Sequence, residues 1–172
     1  MGRFKHVDDV ERKDDGTLVY TGGFYRIAGD AAEMKRTLIS FVAGTLLLVA
    51  LVVLSGCIDS KNATSSFTVI IPLIAEVCCL FVICWQAAKV AAGRGRVRTY
   101  VLESMTEKIP VACKMLVVVA LTGMVFSLVY LVRHGADGQL LKSIAYPVLK
   151  FLIASTAVGY EKFFMTIRWV KA

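Results

Sequence analysis

Charge is scarce in this chain. Only 19% of its 172 residues are Asp, Glu, Lys or Arg, against 57% hydrophobic, and the mean hydropathy is +0.67. A soluble domain carries about 25% charged and about 45–50% apolar residues, so a water-soluble globule is excluded. Histidine is scarcer still. His6 and His134 are the two present, and the topology argued below sets them on opposite sides of a membrane. No His/Cys/Asp cluster then has metal-ligand spacing, and no Ser or Cys nucleophile has a histidine in reach. The five cysteines include no C-x-x-C. Cys78, Cys79 and Cys84 fall inside an apolar run, and Cys57 alone reaches an outer end, which leaves neither a disulfide framework nor a thiol-redox motif. Three prolines and no low-complexity tract exclude collagen-like and disordered chains. No pair of carboxylates shares a face for acid–base work. Neither an enzyme nor a bound cofactor or metal is expected.

The apolar excess is gathered into four runs, each near the roughly 20 residues that span a bilayer. They cover about 37–57, 67–88, 111–132 and 142–160. Residues 31–172 therefore read as an all-α membrane domain, a four-helix antiparallel bundle with a loop at 89–110. Lys and Arg fix the expected orientation, because they concentrate on the cytoplasmic side. Seven precede the first run, six lie from Lys89 to Lys114 and three follow the fourth, against Lys61, Arg133 and Lys142 opposite. Both termini are expected in the cytoplasm, with the bundle in a bacterial plasma membrane. The net charge of +7 is mostly this topology signal, so nucleic acid is not an expected partner. Leu54-Ser55-Gly56-Cys57 has the form of a lipobox. The long charged leader and the three later runs favour the simpler reading of small residues closing a helix.

Residues 1–30 carry a different pattern. Lys13-Asp14-Asp15-Gly16 has the Asp-Gly of a tight hairpin turn. Thr17-Leu18-Val19-Tyr20 follows it, then Gly22-Gly23, then Phe24-Tyr25-Arg26-Ile27. Two or three short strands are predicted, the first within Arg3–Val10. A lone hairpin is marginal in water, so this element must pack on the middle loop, another subunit or the membrane surface. Asp30 and Glu33 form a D-x-x-E capping box, starting a helix near Ala31 that runs unbroken into the first span. Gly93-Arg94-Gly95-Arg96-Val97-Arg98 lacks the third glycine of a dinucleotide loop and reads as a juxtamembrane basic cluster. Ser104–Lys108 is expected as a short polar helix, with Pro110 opening the third span.

Two charges sit inside the runs. An ionised side chain near the midplane costs about 2.5–3.5 kcal/mol on insertion scales, so Glu76 and Lys150 need a reason. Each lies eight or nine residues into a span that descends from the outer surface. At 1.5 Å per residue their depths match to within about 1.5 Å. An ion pair docking span two against span four is the prediction. A polar stripe accompanies each: Glu76, Cys79, Ile83 and Gln86 share one helix face, as do Ser143, Tyr146, Lys150, Ala154, Ala157 and Glu161. Pro72 and Pro147 stand close by and bend their helices. Small-xxx-small pairs at Ser40/Gly44, Gly123/Ser127 and Ser155/Gly159 offer close-packing faces.

The expected function is that of a non-catalytic membrane subunit. Its partners are the lipid bilayer and either another protein or a second copy of the chain, docked through the N-terminal segment and the 89–110 loop. The alternative, from another class, is a small ion- or proton-coupled transporter using Glu76.

Overall fold

The computed structural model describes residues 10–12, 18–20, 22–58, 67–134 and 140–172. The Lys13–Gly16 turn and the start of the predicted Arg3–Val10 strand lie outside them. In chain order the elements are β1 (Val10–Arg12), β2 (Leu18–Tyr20), β3 (Phe24–Ile27), α1 (Ala31–Cys57), α2 (Phe67–Ala92), β4 (Arg96–Arg98), α3 (Thr99–His134), α4 (Leu140–Thr166) and β5 (Trp169–Lys171).

Helix α1 starts where the capping box places it. The Asp30 carboxylate accepts the Glu33 backbone N–H at 2.7 Å, after Gly29 has turned the chain at φ +114°. Its buried stripe is Phe41, Thr45, Leu48, Val52 and Ser55, spaced by threes and fours as one helical face requires. Helix α2 ends in a Schellman turn. The Gly95 N–H donates to the Val90 carbonyl at 3.0 Å, and the Arg94 N–H donates to Ala91 at 3.0 Å. Arg94 and Gly95 take left-handed φ values of 49° and 81°. The basic stretch Gly93–Arg98 thus splits into a turn and the strand β4.

The third helix differs from the expectation. No break separates a polar segment at 104–108 from a span opened by Pro110; α3 is one helix of 36 residues with Pro110 inside it. The reason is packing. Val101, Met105, Ile109, Cys113, Leu116 and Ala120 are all buried and form one stripe on both sides of the proline. Burying that stripe outweighs the single backbone hydrogen bond that proline removes. At 1.5 Å per residue α3 is about 54 Å long, well beyond the roughly 30 Å of hydrocarbon in a bilayer. Helix α4 likewise runs past Tyr160 to Thr166. There the ring of Phe164 lies tilted against Phe41 of α1, with centroids 6.0 Å apart.

The helices form a ring in which each packs on its neighbours in sequence and α4 closes back on α1. Helices α2 and α4 therefore stand across a diagonal. The outward faces are apolar, with Leu46, Leu47, Phe81, Val118 and Leu141 all exposed. All four helices are long and apolar enough to cross a membrane, and only 22–39% of each apolar window is buried inside the protein. Apolar surface so extensive is suited to lipid, not water.

Two small sheets complete the fold. Among the described strands, β1 and β2 form an antiparallel pair with each other alone. β3 is the centre of a second, three-stranded antiparallel sheet in the order β4-β3-β5. Phe24, Tyr25 and Arg26 face Arg98, Val97 and Arg96, while Tyr25, Arg26 and Ile27 face Lys171, Val170 and Trp169. The sequence offered several surfaces for the N-terminal strands. Strand β3 takes the 96–98 segment and the C-terminal strand together. That sheet gathers the start of α1, the end of α2, the start of α3 and the end of α4 at one end of the bundle.

Candidate functional site

Lysine 150 lies in α4 with its Nζ donating to Glu76 Oε2 of α2 at 2.6 Å. Both side chains are 0% exposed. In helices long side chains lean toward the N-terminus, and α2 and α4 both enter from the end of the bundle opposite the three-stranded sheet. Both groups therefore reach toward that end, and a third helix meets them there. Lys150 Nζ also donates to Ser55 Oγ at 3.3 Å, and Ser55 stands two residues before the end of α1. The pair thus sits nearer that end than the depths of the two Cα atoms suggest. Ser55 Oγ passes its own hydrogen to the Val52 carbonyl at 2.8 Å.

The fourth helix contributes by having nothing there. A Cβ on Gly123 of α3 would lie 3.5 Å from Pro72 Cβ and 3.7 Å from Lys150 Cε, so glycine leaves the lysine stem its slot. Within α4, one turn before, the ring of Tyr146 lies 4.9 Å from Lys150 Nζ and supplies a cation–π contact. Groups from three helices therefore bear on one ammonium, and the fourth leaves room for its stem. The ion pair does not dock α2 against α4 as face-to-face neighbours, as the sequence suggested; it bridges the diagonal through the bundle centre.

Two polar atoms of this centre lack a hydrogen-bond partner among the described residues: Glu76 Oε1 and the Tyr146 hydroxyl, both buried. An unpartnered buried oxygen costs about 1–3 kcal/mol. Toward the sheet end the centre is closed by apolar packing, since Leu48, Ile83, Leu116, Ala120 and Ile153 are all fully buried. Beyond that layer lie two more polar contacts. The hydroxyls of Thr45 and Tyr160 share a hydrogen bond of 2.8 Å, where Gly44 lets α1 come close to the tyrosine ring. Gln86 Nε2 donates to Ser104 Oγ at 3.4 Å, and Gln86 Oε1 has no partner.

Of the predicted α2 stripe, Glu76, Ile83 and Gln86 are buried and Cys79 is half-buried. Glu76 and Gln86 face different polar groups, so the stripe is not one connected network. On α4, Ser143, Tyr146, Lys150, Ala154 and Ala157 are buried. Glu161 instead reaches Lys114 at a loose 3.7 Å. Sequence reasoning missed Ser55 as a partner of Lys150. The spacing Phe41, Thr45, Leu48, Val52, Ser55 would have put it on the buried face of α1. Cys57, the lipobox residue, closes that helix and is exposed with a free thiol. Among the described residues no three His, Cys, Asp or Glu side chains converge on a point that could hold a metal ion.

No family model matches this chain, and neither a curated protein nor a solved structure gives a significant match.

Proposed function

We propose that the chain is a non-catalytic membrane subunit, held in the cytoplasmic membrane with both termini inside, that presents its N-terminal hairpin to a partner. The observation that carries this reading is that, among the described strands, β1 and β2 pair only with each other. These strands pair with each other, whereas the next strand is absorbed into the sheet at the bundle end. A two-stranded ribbon is at best marginal by itself, and a partner surface supplies what it lacks. The ion pair fits the same role. Gripped by groups from three helices and closed toward the sheet end by apolar side chains, it fixes helix register and does not serve as a moving part. The excess of Lys and Arg at the sheet end supports the orientation.

A second reading has one observation in its favour. Glu76 Oε1 and the Tyr146 hydroxyl are buried without partners among the described residues, and a carboxyl in such a place is a candidate for binding a proton or cation. Reconstitution separates the two. The subunit reading expects purified full-length chain in liposomes to pass no more H⁺, Na⁺ or K⁺ than protein-free vesicles. It also expects a partner retained in mild detergent to be lost when residues 1–20 are deleted, a change that leaves β3 and its sheet in place. Ion flux abolished by Glu76→Gln would overturn it in favour of the carrier.

A further inference from the structure

A groove of about 730 Å³ opens where α2, β4 and α3 meet. Lys89 from the last turn of α2, Arg96 and Arg98 from β4, Tyr100 and Val101 from the first turn of α3, and Phe24 from β3 line it. Its described walls include no acidic side chain. The cations are placed by local structure. The Schellman turn reverses the chain directly after α2, and the two-residue period of β4 puts Arg96 and Arg98 on one face, with Val97 turned into the core.

A second feature is independent of the groove's shape. In the sheet register Arg96 stands directly opposite Arg26. Like charges paired across strands are destabilising. Among the described residues no carboxylate forms an ion pair with either of them. An anion seated beside them would relieve the arrangement. The groove's depth indicates which kind. Lys89 Nζ lies 5.4 Å from the ring of Trp85, which is 58% exposed on the apolar outer face of α2 and stacks with Phe81. Tryptophan beside lysine at the end of an apolar run marks the level of lipid headgroups.

We propose that this groove seats the headgroup of an anionic phospholipid. Its phosphate lies beside Lys89 and Arg96, and its acyl chains run along the Phe81–Trp85 face. Charge complementarity and continuity with that lipid-facing surface favour a lipid over a soluble anion.

The test titrates phosphatidylglycerol, phosphatidylcholine or inorganic phosphate into the full chain in detergent and reads bound copies by native mass spectrometry. Phosphatidylglycerol should bind at one copy and phosphatidylcholine should not. Each of Lys89→Gln and Arg96→Gln should weaken binding about fivefold, the effect of one charge near an anionic surface. Lys108→Gln, which removes an exposed cation outside the groove, should leave it unchanged. Equal loss in all three variants would mean diffuse attraction and overturn the site. Equal binding of phosphatidylcholine would do the same, as would phosphate binding with the same dependence on Lys89 and Arg96. Should the Gln variants fail to fold, the charge-retaining Lys89→Arg and Arg96→Lys decide. They must keep the preference for phosphatidylglycerol, and its loss overturns the proposal.

Discussion

Removing one member of the Glu76–Lys150 pair is the sharpest perturbation this fold allows. At 2.6 Å and an effective dielectric near 20, the gross attraction is about 6 kcal/mol. Taking two ions out of water costs several kcal/mol each, so the pair contributes little net stability over two well-packed apolar residues. The asymmetry lies in the single variants. Lys150→Met leaves Glu76 without its partner on Oε2, beside an Oε1 that already has none. Glu76→Gln leaves the ammonium with neutral acceptors and the Tyr146 ring but no counter-charge. Each should cost about 3–5 kcal/mol. For a chain of this length about 2–4 °C accompanies each kcal/mol, so melting in detergent should fall by on the order of 10 °C. The double variant should recover to within about 2 kcal/mol of the parent, since no unpaired charge remains. The assay is thermal unfolding of all four proteins in one detergent, read by tryptophan fluorescence. A coupling energy no larger than about 0.6 kcal/mol, the average for a neutral interhelical hydrogen bond, would refute the reasoning and leave Glu76 a carboxyl not held by Lys150.

Two further outcomes follow from the packing. At Gly123 a methyl group meets only ordinary contact distances, while anything larger meets Pro72 and the Lys150 stem. Gly123→Ala should therefore melt within a few degrees of the parent, and Gly123→Val should lose about 1–3 kcal/mol by overpacking; equal stability of the two would show the slot to be empty. In the sheet, Ala172 N–H donates to the Phe24 carbonyl and Ala28 N–H to Arg168, each at 2.8 Å. Tyr25 and Lys171 therefore form a non-hydrogen-bonded pair, whose Cα atoms approach to about 4.5 Å, within disulfide range. Tyr25→Cys with Lys171→Cys, in a background with the native cysteines replaced by alanine, should oxidise to an intramolecular cross-link visible as a faster band on a non-reducing gel. Failure to form would mean that the N- and C-terminal strands do not share a sheet.

The four apolar runs, the capping box at Asp30 and the hairpin pattern before it were all legible along the chain. So was the anomaly of two charges in apolar surroundings. These are local properties: periodicity, composition and turn chemistry act over a few residues, and hydropathy sums without regard to partners. The long α3 was not legible, because Pro110 is a local signal for a boundary. The stripe from Val101 to Ala120 overrides it only once a neighbouring helix is present to bury it. Strand β5 was invisible for a related reason. Trp169–Lys171 is three residues with no pattern of its own, and it becomes a strand because β3 offers a free edge at the end of α4.

The centre of the bundle divides the same way. Sequence spacing by itself put Glu76 and Lys150 at matching depth, since rise per residue needs no tertiary information. It could not say that α2 and α4 stand diagonally, that Ser55 completes the lysine's hydrogen bonding, or that Gly123 makes room for its stem. Those facts depend on the order in which four helices close their ring and on how far each is rotated about its own axis. Rotation is set by the summed packing of every buried face at once, and no single stretch of the chain contains it.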